Sequence, residues 1–298
     1  MFLQKMQRAI KESALESLPN ALYPLVWEMM ECYEMKVPLG PMVRALVLRV
    51  TLWIFGMRGN VPARELVDLG DVLFNTKMEV TDLQDNHDLQ AHLSALFPGY
   101  NLNPRANPLN ALLHCFETLT PVVLRLFLEL RRHSSYKDIL LAFIQKPTPA
   151  QFNLLADGAI SAEYLVKETL RLYPPNRQIH RAFQPTIDPA TRLVLTADIE
   201  ACQLDYKAWA DPLHFRPERW RKASVVQNLS FLAFGSRPFL CPASHDFGLR
   251  VVALIGGVLV DVLGDNWVLS FADGEVCAGE RLSNEWGAYE DVSIELDC

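Results

Sequence analysis

The chain has 298 residues, a hydrophobic fraction of 50% and a formal net charge of −7, from 35 acidic and 28 basic residues. This size and apolar content suffice for a large globular core. Because the chain is acidic overall, it offers no general polyanion-binding surface, and we expect no nucleic-acid partner. The 6 cysteines lie far apart without a CxxC pair, which indicates a reducing compartment, so we expect a soluble, cytoplasmic protein.

The first two thirds of the chain carry apolar residues at helical spacing. The N-terminus MFLQKMQRAIKESALESLPN has no apolar core of a signal peptide, and Arg44 and Arg49 interrupt the most apolar early run, so we expect no transmembrane anchor. The spacing predicts helices over 3–17, 20–34, 40–57, 63–77, 87–96, 108–133, 134–145 and 159–173.

The pattern changes after residue 176. TRLVLTADIEA reads as a short strand pair, and ADPLHFRPERW as an irregular segment broken by prolines. A helix resumes with FGLRVVALIGGVLVDVLG, and NWVLSF and VSIEL read as short strands. The sequence contains no internal repeat and no low-complexity tract.

The stretch FLAFGSRPFLCPAS presents one cysteine in a rigid, apolar loop. Pro238 and Pro242 stiffen the loop and Gly235 allows it to bend around Cys241. Such a loop favours presentation of the sulfur to a substrate, a disulfide partner or a metal. The alternative is a free cysteine that packs as a small hydrophobic residue.

Three further patterns accompany the cysteine. In KETLRLYPP, Glu168 and Arg171 are three apart and can pair on one helix face, although such a pair is most often solvated. FRPERW places Arg219 beside an aromatic residue, which by itself fits an ordinary surface turn. HCFETL places Glu117 and Thr118 inside the longest apolar helix, where a charge is costly unless it has a partner or a function.

Taken together, these motifs resemble the cytochrome P450 family. The family's E-x-x-R helix, its P-E-R-F/W segment and its haem loop F-G-x-G-x-R-x-C appear in the family's order and at similar spacing. The resemblance implies a mainly α, cytochrome P450-like helical fold with small β elements, N-terminally shortened relative to the family. It further implies one domain over 1–298, with a helical lid or middle region of weak resemblance over 1–107 and a haem-binding core over 108–298.

The resemblance also implies roles around Cys241, which would be the metal ligand of haem b. Phe234 would cover the sulfur side of the ring and Gly235 would form the turn. Glu168, Arg171 and Arg219 would form a buried triad that braces the loop. Two departures stand in this loop, since Arg237 replaces the family's second glycine and Phe239 replaces the usual Arg or His partner of a haem propionate. Arg237 would take over the role of this missing partner, and Arg181, just beyond the E-x-x-R helix, matches the family's second arginine that binds a propionate.

In the long helix, the resemblance makes Glu117 and Thr118 an acid–alcohol pair that relays protons during oxygen activation. His114 and Cys115 stand where the family has small residues, so the oxygen pocket would be narrower. The alternative is that the Thr118 hydroxyl bonds back to its own helix and that Glu117 reaches solvent.

The function implied is that of a haem-thiolate monooxygenase, acting on a small apolar organic substrate, with secondary metabolism as one setting. Electrons would come from NAD(P)H through a ferredoxin or a flavoprotein reductase. Basic residues on the cysteine side would dock such an acidic donor: Arg216, Arg219, Arg221, Lys222, Arg237 and Arg250. The alternative is a truncated relative with impaired haem binding that serves as a ligand-binding or scaffold protein.

Overall fold

The computed structural model describes residues 15–33, 36–55, 61–78, 86–97, 107, 109–183, 193–244, 247–271 and 280–296. The longer α-helices of this part are α1 (Leu18–Cys32), α2 (Leu39–Ile54), α3 (Ala63–Met78), α4 (His87–Leu96), α5 (Leu109–Arg132), α6 (Lys137–Gln145), α8 (Ala162–Leu172) and α11 (Phe247–Leu263). The short ones are α7 (Pro149–Phe152), α9 (Ile199–Gln203) and α10 (Val225–Ser230). Turns of 3₁₀-helix cover Leu15–Ser17, Ser134–Tyr136, Pro217–Lys222 and Pro242–Ser244.

The helix α11 lies at the centre of the core. It packs against α1, α5, α6 and α8, because almost its whole surface is apolar and buried. Its glycines permit close approach to two of these neighbours: a Cβ atom on Gly257 would overlap Ile144 of α6, and one on Gly256 would lie 2.9 Å from Leu126 of α5. Side chains at these two positions would therefore force the helices apart.

A buried arginine connects the first helices to the C-terminal segment. Arg44 on α2 donates to both carboxylate oxygens of Glu290, at 2.8 and 2.6 Å, and to Asp71 on α3 at 2.7 Å. Its guanidinium also lies over the ring of Phe74, 4.5 Å from the centroid. Two carboxylates and an aromatic face together compensate for the burial of this charge.

The strands form two small antiparallel sheets. In the first, β5 (Ser293–Leu296) lies between β1 (Lys36–Pro38) and β4 (Trp267–Ser270). The second is a hairpin-like pair of β2 (Gln178–Phe183) and β3 (Leu193–Asp198). The predicted strand pair within 191–201 was therefore wrong: that segment gives one strand and then the start of α9, and its partner strand precedes it in the chain.

The expected fold class is confirmed, because the described residues are mainly helical with small sheets. The helices predicted between 20 and 173 are present within a few residues of their expected bounds, and so is the one after Cys241. Most of the helix predicted over 3–17 lies outside the described residues, and its end, Leu15–Ser17, is a 3₁₀ turn. Among the described residues, no helix is both long and apolar enough to cross a membrane.

Candidate functional site

The helix α8 places one carboxylate and one guanidinium in the protein interior. It begins after Ser161, whose hydroxyl accepts from the Tyr164 N–H, and ends at Leu172, just before two consecutive prolines. Glu168 and Arg171 lie three residues apart and are both fully buried. Arg171 donates to Glu168 through Nε at 3.0 Å and through Nη2 at 2.8 Å, so the pair is bidentate.

The Glu168 carboxylate accepts three more hydrogen bonds from the segment around Pro217–Lys222. The donors are Arg219 Nε, the backbone N–H of Arg216 and the indole Nε1 of Trp220, each at 3.0 Å. Five donor groups therefore converge on two oxygens. Protein donors therefore satisfy the hydrogen-bonding capacity of both carboxylate oxygens.

The remaining donors of both arginines bond to backbone carbonyls of one irregular segment. Arg171 Nη1 donates to the carbonyls of Gln203 and Pro212, at 3.0 and 2.8 Å. Arg219 donates to the carbonyls of Ala210 and Asp211, at 2.6 and 3.1 Å. The two guanidinium groups thus fix the path of the chain between α9 and the 3₁₀ turn. We call Glu168, Arg171, Arg219 and Trp220 the carboxylate hub.

Aromatic rings connect the carboxylate hub to the cysteine loop, residues 231–244. Trp209 is fully buried, with the Arg171 guanidinium 5.1 Å from its ring centroid, and it packs on Trp220 at 5.2 Å between centroids. Trp220 meets Phe231 edge to face at 5.0 Å, and Phe231 meets Phe234 in the same way at 6.5 Å. The loop therefore rests on a continuous aromatic support.

The cysteine loop turns at Gly235, whose φ of +71° favours glycine. The Gly235 N–H donates to the Leu232 carbonyl at 2.8 Å, and the Cys241 N–H donates to the Phe234 carbonyl at 2.9 Å. The loop thereby returns on itself and holds Cys241 beside the Phe234 backbone.

Cys241 is half-buried and directly precedes the 3₁₀ turn Pro242–Ser244 that leads to α11. Burial raises the pKa of the Cys241 thiol, while the backbone N–H of Ala243 opposes the rise by bonding to the sulfur. Gly248 lies close by, since a Cβ atom there would be 3.0 Å from the Ala243 carbonyl oxygen and 3.2 Å from the Phe234 ring. The first turn of α11 therefore packs closely against the loop.

One face of the β2–β3 pair is apolar and open. The register places Arg181 opposite Leu195 and Phe183 opposite Leu193, all on one face, and all four side chains are exposed. On this face the Arg181 guanidinium lies over the Phe239 ring, 4.9 Å from its centroid. The open apolar face is therefore turned toward the cysteine loop. We call it the hairpin face.

The opposite face of this strand pair is more polar. His180 lies opposite Thr196 and its Nδ1 is 2.8 Å from the threonine hydroxyl. Val194, on this second face, is as exposed as Leu195 on the first, at 55% against 52%. Val194 and Leu195 therefore differ in the face on which they lie rather than in their exposure.

The helix α5 approaches the cysteine loop through Cys115. Burial raises the pKa of its thiol to about 11, a hydrogen bond with Thr51 opposes the rise, and the Cys241 thiolate adds to it. Glu117 and Thr118 are half-buried. The Thr118 hydroxyl donates to the His114 carbonyl at 2.7 Å, as in the alternative considered from the sequence. His114 is exposed.

The basic residues grouped from the sequence divide into two sets. Arg219 belongs to the carboxylate hub, Arg216 pairs with Asp211 at 2.6 Å, and Arg250 donates to the Pro147 carbonyl at 2.7 Å. Arg221, Lys222 and Arg237 are exposed, and so is Arg216, but the carboxylate of Asp211 offsets its charge. The exposed basic surface is therefore smaller than the sequence indicates.

Two buried polar residues of this region were not foreseen. Trp220 carries a donor to Glu168, and its place directly after Arg219 could have suggested that contact. Gln203 bonds to both α8 and the cysteine loop. A glutamine in a five-residue helix gives no signal of such a role, because its partners lie about 30 residues away in either direction.

The residues around Cys241 suit a flat, largely apolar group that carries a metal and acidic substituents. A thiol would supply a soft metal ligand, while Phe239, Phe183 and Leu195 offer apolar surface. Arg181, beside Phe239, would supply a cation for an acidic substituent. Among the described residues, no cluster of three or more His, Cys, Asp and Glu side chains could hold a metal ion by itself.

Comparison with known proteins identifies relatives of this region. The family model described as Cytochrome P450 matches residues 162–242, which include the carboxylate hub and Cys241. Berbamunine synthase from Berberis stolonifera is 32% identical over 108 residues, covering 33% of this chain and 22% of the relative. Cytochrome P450 78A5 from Arabidopsis thaliana is 29% identical over 168 residues, covering 51% and 32%. The matched segment thus spans a third or less of each relative.

Solved structures are similar over nearly the whole chain. A 6-coordinated cytochrome P450 from Thermus thermophilus aligns with a TM-score of 0.59 at 18% identity, covering 98% of this chain and 78% of that one. Cytochrome P450EX alpha with myristic acid gives a TM-score of 0.60 at 14% identity, covering 99% and 76%. At these identities the likeness shows the fold, and the fold agrees with the one that the sequence motifs imply.

Proposed function

Because the chain belongs to the cytochrome P450 family, we propose that it binds haem b through the thiolate of Cys241 and inserts one oxygen atom of O2 into a small apolar organic substrate. One observation carries this proposal: a half-buried cysteine ends a loop that a fully satisfied, buried carboxylate hub supports from behind. A free core cysteine would need no such support. The proposal treats 1–298 as one domain.

The chain's own residues would divide the binding of haem among them. Cys241 would give the axial ligand, and Phe234 and Gly235 would hold the turn that presents it. The hairpin face and Phe239 would cover apolar surface of the ring. Arg181 and Arg237 would bind its carboxylates, and Arg181 already lies next to Phe239.

Haem ligated by a thiolate supplies activation of O2 when it is bound. Glu117 and Thr118 would manage protons on the α5 side. The Thr118 hydroxyl donates a hydrogen bond to the His114 carbonyl, so its oxygen can accept a hydrogen bond from a water molecule. Glu117, one position earlier, would then be the group that exchanges protons with such a water.

Electrons from NAD(P)H would arrive through a ferredoxin or a flavoprotein reductase. Arg221 and Lys222, which are exposed and have no part in the proposed haem site, form the basic surface on the cysteine side that an acidic donor would contact. Replacing Arg221 and Lys222 by glutamine should slow reduction more at low ionic strength than at high, because surface attraction is screened by salt. Equal slowing at both would contradict docking at this surface.

The test of haem binding uses the full chain mixed with haem, reduced, and exposed to carbon monoxide. We expect a thiolate-type absorption band, and Cys241→Ser should remove it while leaving the far-ultraviolet circular dichroism unchanged. Leu195→Ser should raise the haem dissociation rate, because it removes apolar surface from the hairpin face. Val194→Ser is the matched control, since Val194 is equally exposed but lies on the opposite face.

Two outcomes would contradict the proposal. A folded, monodisperse chain that takes up no haem would leave a ligand-binding or scaffold role as the remaining candidate. Haem uptake that Cys241→Ser does not alter would place the group elsewhere on the chain.

A further inference from the structure

We propose that Gln203 is a positioning residue that fixes the cysteine loop to the end of α8. The inference concerns the site of the proposed haem function and rests on that function for its purpose. Its structural part concerns only contacts within the chain, and these can be tested in the protein without haem. Gln203 is the last residue of α9 and its side chain is fully buried.

The side-chain amide of Gln203 forms hydrogen bonds through both its nitrogen and its oxygen. Its Nε2 donates to the carbonyls of Leu170 and Arg171, at 2.9 and 3.1 Å. These carbonyls belong to the last turn of α8, where acceptors have no partner within the helix. Its Oε1 accepts from the backbone N–H of Leu232 at 2.8 Å. One side chain therefore bridges the helix that carries the carboxylate hub and the beginning of the cysteine loop.

The backbone of Gln203 strengthens the same connection. Its carbonyl accepts from Arg171 Nη1 at 3.0 Å. Residue 203 is thus held by the carboxylate hub through its main chain, and it holds the loop through its side chain. A displacement of the hub would be passed to the loop through one rigid amide.

From Leu232, hydrogen bonds continue to the cysteine. The Leu232 carbonyl accepts from the Gly235 N–H at 2.8 Å and so closes the first turn of the loop. The Phe234 carbonyl, inside that turn, accepts from the Cys241 N–H at 2.9 Å. Fixing the N–H of Leu232 therefore fixes the turn to which the Cys241 backbone is hydrogen-bonded. Residues 236–239, at the tip of the loop, are exposed.

The experiment measures how fast iodoacetamide alkylates each cysteine of the full chain without haem, resolved by peptide mass spectrometry. Gln203→Met keeps the length and burial of the side chain but removes every hydrogen bond of the amide. We expect Cys241 to be alkylated about three- to tenfold faster, since loss of one such bond changes an opening equilibrium by about that factor. Cys202 is exposed and adjacent on α9, so its rate should not change.

A second variant approaches the contact from the other side. Leu232→Pro removes the N–H that donates to Gln203 and leaves the bonds from Gln203 to α8 in place. It should also accelerate alkylation of Cys241, and it decides the question if Gln203→Met does not fold. The matched control is Gln227→Met: Gln227 Oε1 also accepts a backbone N–H, that of Ser224 at 2.8 Å, but this bond only caps the N-terminus of α10.

An unchanged rate at Cys241 in the folded Gln203 variant would overturn the proposal, and so would an equal acceleration in the Gln227 control. In a second arm, haem is added to the same proteins, and the Gln203 variant should give a smaller fraction of thiolate-type carbon monoxide complex than the control. If the unaltered chain takes up no haem, the proposed function fails, whereas the alkylation rates still decide the role of Gln203.

Discussion

Two buried carboxylates in this molecule have opposite surroundings. Glu168 on α8 is fully buried and accepts from five donor groups, two of them on Arg171. Glu129 on α5 is 2% exposed, and its Oε1 accepts from the Tyr173 hydroxyl, but its Oε2 has no hydrogen-bond partner among the described residues. Arg132 and His133 lie 3.6 Å from that second oxygen, beyond hydrogen-bonding distance.

The difference shows two ways in which a protein accommodates a buried acid. Where donors saturate the oxygens, the carboxylate organises its neighbours, as Glu168 organises the segment that supports the cysteine loop. Where donors are missing, burial favours the neutral form, and burial raises the pKa of Glu129. The saturated carboxylate lies at the candidate site, and the less satisfied one lies at the far end of the long helix.

The largest effect should come from removing the saturated carboxylate. Glu168→Ala leaves two guanidinium groups and an indole N–H without their common acceptor, which should cost about 3–5 kcal/mol of unfolding free energy. Urea denaturation followed by circular dichroism measures this loss. If the chain binds haem as proposed, the same variant should also release haem faster, because the support behind the loop is lost.

The control lies on the same helix. Glu163 pairs with Lys167 at 2.6 Å, but both side chains are partly exposed, so Glu163→Ala should cost less than about 0.5 kcal/mol. Similar losses for the two variants would show that the carboxylate hub contributes no more than a surface ion pair, and the comparison with Glu129 would lose its basis.

The sequence predicted the helices well because their apolar spacing is a local signal. It also placed Glu168 and Arg171 on one face, since three residues make nearly one turn. The partner of β3 was missed, because it lies before the segment that was read as a pair. Gln203 and Glu129 were missed for a related reason: their surroundings are set by residues far along the chain, and spacing rules reach only a few positions.

A smaller change sharpens the comparison by removing one donor of five. Trp220→Phe deletes the indole N–H that bonds to Glu168 but keeps a ring against Trp209 and Phe231. We expect a loss of about 1–2 kcal/mol, since a bond to a charged group is lost while four others remain. Trp27→Phe, at an indole that is 51% exposed on α1, should change stability by less than about 0.5 kcal/mol. A loss of 4 kcal/mol or more, roughly that expected for Glu168→Ala, would mean that the donors act as one unit.

The smallest effect, and one of opposite sign, should come from the less satisfied carboxylate. Glu129→Gln keeps an oxygen for the Tyr173 hydroxyl and removes the buried charge, so at neutral pH it should stabilise the fold by about 1 kcal/mol, the lower end of the penalty for a buried unsatisfied group. The direction of the pKa shift of Glu129 sets how this effect on stability depends on pH. Because the folded-state pKa of Glu129 is raised, the folded chain binds this proton more tightly than the unfolded chain does, and its contribution to stability falls as the pH rises through that pKa.

The variant lacks this titration, so the difference in unfolding free energy between Glu129→Gln and the unaltered chain should grow in favour of the variant as the pH is raised from about 4 to 7. Urea melts at a series of pH values measure that difference directly. A difference that grows in favour of the glutamate would mean that attraction to Arg132 and His133 outweighs burial. Glu129 would then be a paired charge after all, and the two carboxylates would differ only in the number of their donors.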